Sequence, residues 1–182
     1  MGDRQETAMK AKSKVDAVLT NYDISFVFSH ADGEYHFRQV TCDKGTFFEL
    51  KGDGHEIDYI DFVKKTGYQL DAGEKRGESF PLDPIEAYKG LAFHTAGHLL
   101  FMHVNENEKV KVGSEKLLGR ETTVYTRECA NGIMKFWIDK EYGLALKYEQ
   151  VGECAMKMYV TKFKVGGVTV DGLINLGEYK IE

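Results

Sequence analysis

Residues 121–165 read ETTVYTRECANGIMKFWIDKEYGLALKYEQVGECAMKMYVTKFKV. Apolar and polar side chains alternate through this stretch, which is typical of β-strands that bury one face. Turn residues at 130–132, 140–143 and 152–153 divide it, so it predicts four consecutive antiparallel strands. One face is predicted to collect the apolar set Met134, Phe136, Ile138, Leu144, Leu146, Tyr148, Met156, Met158 and Val160. The other face is predicted to carry Lys135, Asp139, Lys147, Glu149, Lys157 and Thr161.

The same two-residue period begins earlier in the chain, at Tyr22. Ile24, Phe26 and Phe28 alternate with Ser25, Val27 and Ser29, and Asp32-Gly33 then predicts a hairpin turn. Short strands are predicted for the segments that contain Tyr35 and Phe37, for TFFELKG and for HEIDYIDFV. Short strands separated by turn residues indicate a mainly β domain.

Two segments are predicted to form helices that pack on this sheet or cover it. Residues 7–19 carry apolar side chains at helical spacing, with lysines on the other side. A central helix is predicted to follow Leu82, with Asp83 as its N-cap and Pro84 in the first helical position, and to extend towards Met102. We find no repeat or linker that would divide the chain. The prediction is one α+β domain, mainly β, over residues 1–182.

Composition and charge exclude several classes of protein. The 182 residues include 42% hydrophobic and 29% charged side chains, which is ordinary for a folded domain. A net charge of -5 argues against binding to nucleic acid, because that needs a basic patch. No stretch reaches the roughly 18 apolar residues of a membrane span. Residues 1–20 lack the apolar segment of a signal peptide, so we expect either a cytoplasmic protein or one whose signal has been removed.

The stretch 113–149 contains a recognisable motif. A Lys-Leu-Leu-Gly-Arg segment at 116–120 leads into a strand, and a hairpin follows with Trp137-Ile138-Asp139-Lys140 before the turn and Gly143-Leu144-Ala145-Leu146-Lys147 after it. This motif resembles the outer-membrane lipoprotein carrier (LolA/LolB-like) superfamily and its uncharacterised extracytoplasmic relatives. The resemblance covers about a fifth of the chain.

The resemblance implies a curved antiparallel sheet that forms an unclosed half-barrel, with helices over its mouth and an apolar concavity for acyl chains. It also implies an extracytoplasmic location, in the periplasm or cell envelope, with the signal sequence absent from these residues. Asp139 and Lys140 are expected to serve the turn, and Gly143 to open the next strand. Trp137 alternates with the inward set, so it is expected on the convex face or under the N-terminal helix.

Histidines supply the strongest pattern for a catalytic centre, and it is a weak one. His94 and His98 would share a helix face and could ligate zinc, with His103 nearby. No Glu adjoins His94 as a general base, and Gly97 weakens the helix, so ordinary half-exposed histidines are favoured. His30, His36 and His55 are expected near turns or on polar strand faces.

Carboxylates and cysteines give no stronger signal. Glu56, Asp58 and Asp61 lie close together, and a calcium or acid–base role is the alternative to a solvated strand face. A Cys129–Cys154 disulfide is one alternative, and unrelated thiols are the other. Signatures for a nucleophilic serine and for a phosphate-binding loop are absent.

These observations predict a protein that is not an enzyme and uses no cofactor or metal. It is expected to hold a lipid or lipoprotein acyl chain in an apolar concavity, with an envelope protein as a further partner. The alternatives are an envelope structural or interaction module with a filled core and, third, a metal-dependent enzyme. The predicted ligand contacts are Phe26, Phe28, Phe37, Phe136, Leu144, Leu146, Met156 and Met158.

Overall fold

The computed structural model describes residues 21–82, 110–130, 132–152 and 155–182. Their strands form a single twelve-stranded sheet. In chain order the strands are β1 (Tyr22–His30), β2 (Gly33–Cys42), β3 (Gly45–Lys51), β4 (His55–Asp61), β5 (Thr66–Asp71), β6 (Arg76–Pro81), β7 (Val110–Leu117), β8 (Arg120–Cys129), β9 (Gly132–Asp139), β10 (Ala145–Gly152), β11 (Met156–Val165) and β12 (Lys180–Ile181).

The sheet is built from two meanders that meet at β1 and β11. Its strand order is β12-β6-β5-β4-β3-β2-β1-β11-β10-β9-β8-β7, so each strand from β1 to β6 lies beside its neighbour in sequence, as does each from β7 to β11. All these pairs are antiparallel, and only β12 runs parallel to its neighbour β6. The order ends at β12 and β7, so the described sheet is not closed into a barrel. The mainly β class and the unclosed sheet are therefore confirmed.

The predicted strands are present where the alternation is clear. The four strands expected in 121–165 are β8 to β11, and those expected after Tyr22 are β1 to β4. Strands β5, β6 and β7 were not predicted. Most residues of β6 and β7 are exposed, so these strands bury too few apolar side chains to show a period of two.

The predicted helices at 7–19 and after Leu82 lie outside the described residues. Within the described ranges there is no α-helix, and the one helical element is the short 3-10 turn Leu176–Glu178. No helix in those ranges is long and apolar enough to cross a membrane.

The sheet buries apolar side chains on both faces. We call face A the side that carries Ile24 and Phe26, and face B the side that carries Asp23 and Val40; directly opposed residues of paired strands share a face. The core on face A lies over β1, β9, β10 and β11. The core on face B lies over β2 to β5, where the segment after β11 packs on it through Val170 and its neighbours. The sequence predicted the first core and missed the second.

A cluster of charged side chains joins the two meanders on face B. The Asp23 carboxylate on β1 accepts hydrogen bonds from Arg38 Nη2 on β2, at 3.2 Å, and from Lys162 Nζ on β11, at 2.7 Å. Asp23 is buried, and burial alone would raise the pKa of its carboxyl; the hydrogen bonds and charges of Arg38 and Lys162 nevertheless hold that pKa below its usual value. The cluster therefore links three adjacent strands through one buried carboxylate.

We expect this carboxylate to make folding stability depend on acid. The folded state binds the Asp23 proton less readily than the unfolded state, so the contribution is fully present above the ordinary pKa of 3.8 and is lost as pH falls through the lower folded value. Asp23→Asn should therefore be less stable at pH 7 and should lose less stability between about pH 5 and pH 2. Urea unfolding across this range measures the effect, with Asp53→Asn in an exposed turn as the control. An unchanged acid dependence in Asp23→Asn would contradict this role.

Candidate functional site

Face A carries an apolar band that crosses the sheet. Tyr35, Phe28 and Met158 are directly opposed on β2, β1 and β11, and the row continues through Tyr148 and Phe136. Since opposed residues share a face, these side chains form a continuous strip across five strands. The Phe136 and Tyr148 rings stack at 6.1 Å between centroids. Phe136, Tyr148 and Met158 of this strip are buried in the core on face A, and Phe28 packs against it.

The structure brings all the predicted ligand contacts together in this one core, either in its buried part or packed against it. The buried members are Phe26, Phe136, Leu144, Leu146 and Met158. The half-buried members are Phe28, Phe37 and Met156. Their role as ligand contacts stays a prediction, because burial in a core does not distinguish a binding surface from packing.

The half-buried side chains mark where the apolar band approaches solvent. Met156 and Met134 are both opposed to Gln150, one on each side of β10, and they lie one row beyond Phe28 and Met158. We call Phe28, Met134 and Met156 the half-buried margin. Flexible thioether side chains adapt to ligands of different shape. The margin is thus a part of face A where apolar side chains are partly exposed to solvent.

An aromatic row leads from the band towards β3. The Phe26 and Phe37 rings stack at 4.6 Å with an interplanar angle of 3°. Phe37 and Phe48 follow at 6.0 Å in a tilted arrangement. These rings extend the apolar surface of face A from β1 across β2 to β3.

Polar side chains interrupt the apolar surface beside this row. Gln39 and Thr41 on β2 and Thr46 on β3 are buried on face A, next to Tyr22. The Thr41 and Thr46 hydroxyl oxygens are 3.3 Å apart, and the Gln39 amide nitrogen is 3.5 Å from the Thr41 oxygen. Burial raises the pKa of the Tyr22 hydroxyl to about 12, although a hydrogen bond with Thr41 acts in the opposite direction. The Tyr22 hydroxyl is therefore uncharged at neutral pH.

This polar group was not predicted from the sequence. A signal was available, because Gln39 continues the two-residue period of Tyr35 and Phe37 on β2 and therefore had to share their face. A buried amide at a position that the pattern reserves for an apolar side chain needs an explanation.

The hairpin that carries the recognisable motif is held by Asp139. This buried carboxylate accepts hydrogen bonds from the backbone N–H groups of Glu141 and Tyr142, at 3.0 and 2.7 Å. It also accepts one from Arg120 Nε at 2.7 Å. The Arg120 guanidinium lies 4.8 Å from the centroid of the Tyr142 ring, so the motif residues lock the turn to the start of β8. The expected turn role of Asp139 is confirmed, while its expected exposure on a polar face was wrong, because it is 2% exposed.

Trp137 lies on face B, opposite the apolar band. It is buried, and its indole N–H donates to Glu115 Oε2 at 2.7 Å. The Lys135 and Lys147 ammonium groups lie 4.5 and 4.2 Å from the centre of its ring. The two ammonium groups therefore interact with the π-face of the indole. The prediction that Trp137 points away from the inward set is confirmed. The N-terminal helix that was one expected cover for it lies outside the described residues.

The Lys-Leu-Leu-Gly-Arg segment is explained by a tight turn. Leu118 and Gly119 join β7 to β8, and both have positive φ, at 52° and 74°. Two residues of positive φ form the turn type that matches the twist of a β-hairpin. A leucine in this conformation is uncommon, and the glycine after it lowers the cost.

The candidate catalytic residues are not assembled into a site in the part of the chain that is described. His94, His98 and His103 lie outside it. His30, His36 and His55 approach the carboxylates of Asp32, Glu34 and Glu49 in local pairs. Asp61 points to face B and caps the following turn by accepting from the Lys64 N–H, whereas Glu56 and Asp58 point to face A. Across the described ranges no three His, Cys, Asp or Glu side chains are grouped to hold a metal ion.

The structure does not test the two alternatives for Cys129 and Cys154, a disulfide or unrelated thiols. Cys42 is free and buried in the core on face B. Cys154 and the side chain of Cys129 lie outside what the structure describes, so both alternatives stand as they were.

Comparison with known proteins shows the fold. No protein-family model matches the sequence, and no curated protein matches it. An uncharacterized conserved protein from Thermus thermophilus is similar at a TM-score of 0.50 and 12% identity, over 90% of each chain. MucB is similar at 0.51 and 12% identity, over 94% of this chain and 62% of MucB. A putative outer membrane lipoprotein-sorting protein domain from Vibrio parahaemolyticus is similar at 0.34 and 8% identity, over 91% of this chain and 93% of that domain.

The third of these proteins belongs to the class that the motif resembles, but its similarity is too low to carry an argument. The resemblance to the lipoprotein carriers therefore stays a prediction from the sequence motif at 113–149. The first two proteins are each 12% identical to this chain, so their similarity shows a shared fold and nothing about activity. The chain shares the fold of the Thermus thermophilus protein and of MucB.

Proposed function

We propose that the protein is a non-enzymatic, extracytoplasmic binding protein that holds a lipid or lipoprotein acyl chain against face A. The observation that carries the proposal is the continuous apolar band, in which buried aromatic and aliphatic side chains run to a half-buried margin rich in methionine. The extracytoplasmic location rests on the motif at 113–149.

The margin is where the acyl chain makes its first contacts. Phe28, Met134 and Met156 are half-buried, so their outer surfaces are available while their inner surfaces pack on the core. An acyl chain that covers them removes apolar surface from water, worth about 0.8 kcal/mol for each buried methylene. Burial of this kind depends on apolar area and not on directional contacts.

A charged side chain at the margin tests the proposal. Met156→Glu should weaken binding of a fluorescent fatty-acid probe at least tenfold, because the carboxylate loses water when the acyl chain covers it. Titration of the full chain with the probe measures the affinity. Since Met156 is half-buried, the variant should keep its fold, which urea unfolding monitored at Trp137 can verify.

Val151→Glu is the matched control. Val151 lies on β10, is 71% exposed, and points to face B. Its substitution adds the same charge without touching the apolar band, so probe affinity should stay within twofold of the wild-type value. Equal weakening in both variants, or no saturable probe binding by the wild type, would sink the proposal. The second result would favour a module with a filled core.

A further inference from the structure

Gln39 has a buried hydrogen-bond acceptor that nothing in the described part of the protein satisfies. Its side chain is 1% exposed, and its Oε1 atom has no hydrogen-bond partner there. The nitrogen of the same amide is directed to Thr41 Oγ1, at 3.5 Å. A buried carbonyl oxygen left without a donor destabilises a protein, and such a group is rare enough to need a reason.

The position of Gln39 connects it to the apolar band. It lies opposite Ile24 on β1 and opposite Phe48 on β3, so it shares face A with both. Phe37 is two residues away on the same strand and face, and stacks on Phe26. The row of rings Phe26, Phe37 and Phe48 thus passes beside the amide.

The neighbouring hydroxyls are engaged with other atoms. Thr41 is within hydrogen-bond distance of Thr46 and of the Gln39 nitrogen, and it also bonds to Tyr22. In these contacts the polar side chains pair with one another, and Gln39 Oε1 stays unpaired. What the site lacks is one N–H or O–H group.

We propose that face A binds acyl chains carrying a hydrogen-bond donor near the polar end, such as an amide-linked chain, and that Gln39 Oε1 accepts from this donor. The acyl chain lies along the aromatic row, and its amide N–H reaches Gln39. This inference rests on the proposed function, and it adds the chemical class of the ligand.

The N–H group of an amide ligand should make the amide bind more tightly than the ester of the same chain, which is the reverse of the usual preference of an apolar surface. On a purely apolar surface an amide binds more weakly than the ester of the same chain, because its N–H loses a hydrogen bond to water. An acceptor that is already buried and unpaired should reverse this order of affinity, because the ligand N–H and the acceptor then both gain a hydrogen bond. Binding sites with such a group discriminate strongly against ligands that lack its partner.

The experiment compares two competitors that differ at one position, N-methyldodecanamide and methyl dodecanoate. Each displaces the fluorescent fatty-acid probe from the full chain, and the ratio of their affinities is measured. The wild type should bind the amide at least about fivefold more tightly than the ester. Gln39→Met has a similar length and no acceptor, and it should bind the ester at least as well as the amide.

Gln69→Met is the control, because Gln69 is an exposed glutamine of β5 on the same face. It should keep the wild-type preference. If the wild type binds the probe but prefers the ester, or if Gln39→Met keeps the amide preference, the assignment of Gln39 is overturned and the acyl-binding function stands. If the probe does not bind at all, the proposed function itself fails.

Discussion

Asp139→Ala should lower the free energy of unfolding by about 3 kcal/mol, the largest loss that we expect from a polar substitution in this chain. The carboxylate is 2% exposed, so its removal leaves the N–H groups of Glu141 and Tyr142 without their acceptor inside the turn. Arg120 also loses its buried partner. Urea unfolding monitored at Trp137, the single tryptophan of the chain, measures the change.

Glu141→Ala is the control, because Glu141 pairs with the same guanidinium from the surface. Its side chain is 50% exposed and its oxygen lies 2.7 Å from Arg120 Nη2. An exposed ion pair contributes about 0–1 kcal/mol, so this variant should be nearly as stable as the wild type. If the two substitutions cost the same, the turn does not depend on the buried carboxylate.

Leu146→Ala should lower the free energy of unfolding by about 2–5 kcal/mol. Leu146 is 1% exposed in the core on face A, and it lies where the pairing of β9 and β10 shifts by one residue. Truncation leaves a cavity that neighbouring side chains fill only in part. Urea unfolding again gives the value.

Val151→Ala, on the same strand and exposed, should change stability by about 0.5 kcal/mol or less. Comparable effects at Leu146 and Val151 would mean that the band on face A is loosely packed. The expected difference separates the buried part of the band, which supports the fold, from the half-buried margin, which we propose as the contact surface.

The fold could be predicted from sequence where one face of a strand is buried. In β9 to β11 the apolar side chains of face A recur at every second residue, so both the presence of the strands and the face on which each side chain lies follow from the sequence. In β6 and β7 exposure on both faces removes that signal, and these strands form through hydrogen bonds to their neighbours. Of these two strands, β7 lies at one end of the sheet and β6 lies beside the two-residue β12 at the other.

The candidate site could be predicted only in part. The apolar members of face A were correctly grouped, because they follow the period of their strands. The core on face B was missed, since it depends on the segment after β11 packing on β2 to β5, a contact between distant residues that no local pattern encodes. The unpaired acceptor of Gln39 was equally inaccessible, because it depends on which atoms surround the amide.

Native mass spectrometry of the freshly purified full chain tests the acyl-binding function most directly. We predict a species heavier than the chain by the mass of one acyl-containing lipid, or its formation after incubation with a long-chain fatty acid, and a lower fraction of this species in Met156→Glu than in Val151→Glu. A single species at the mass of the chain alone, unchanged after that incubation, would contradict the account.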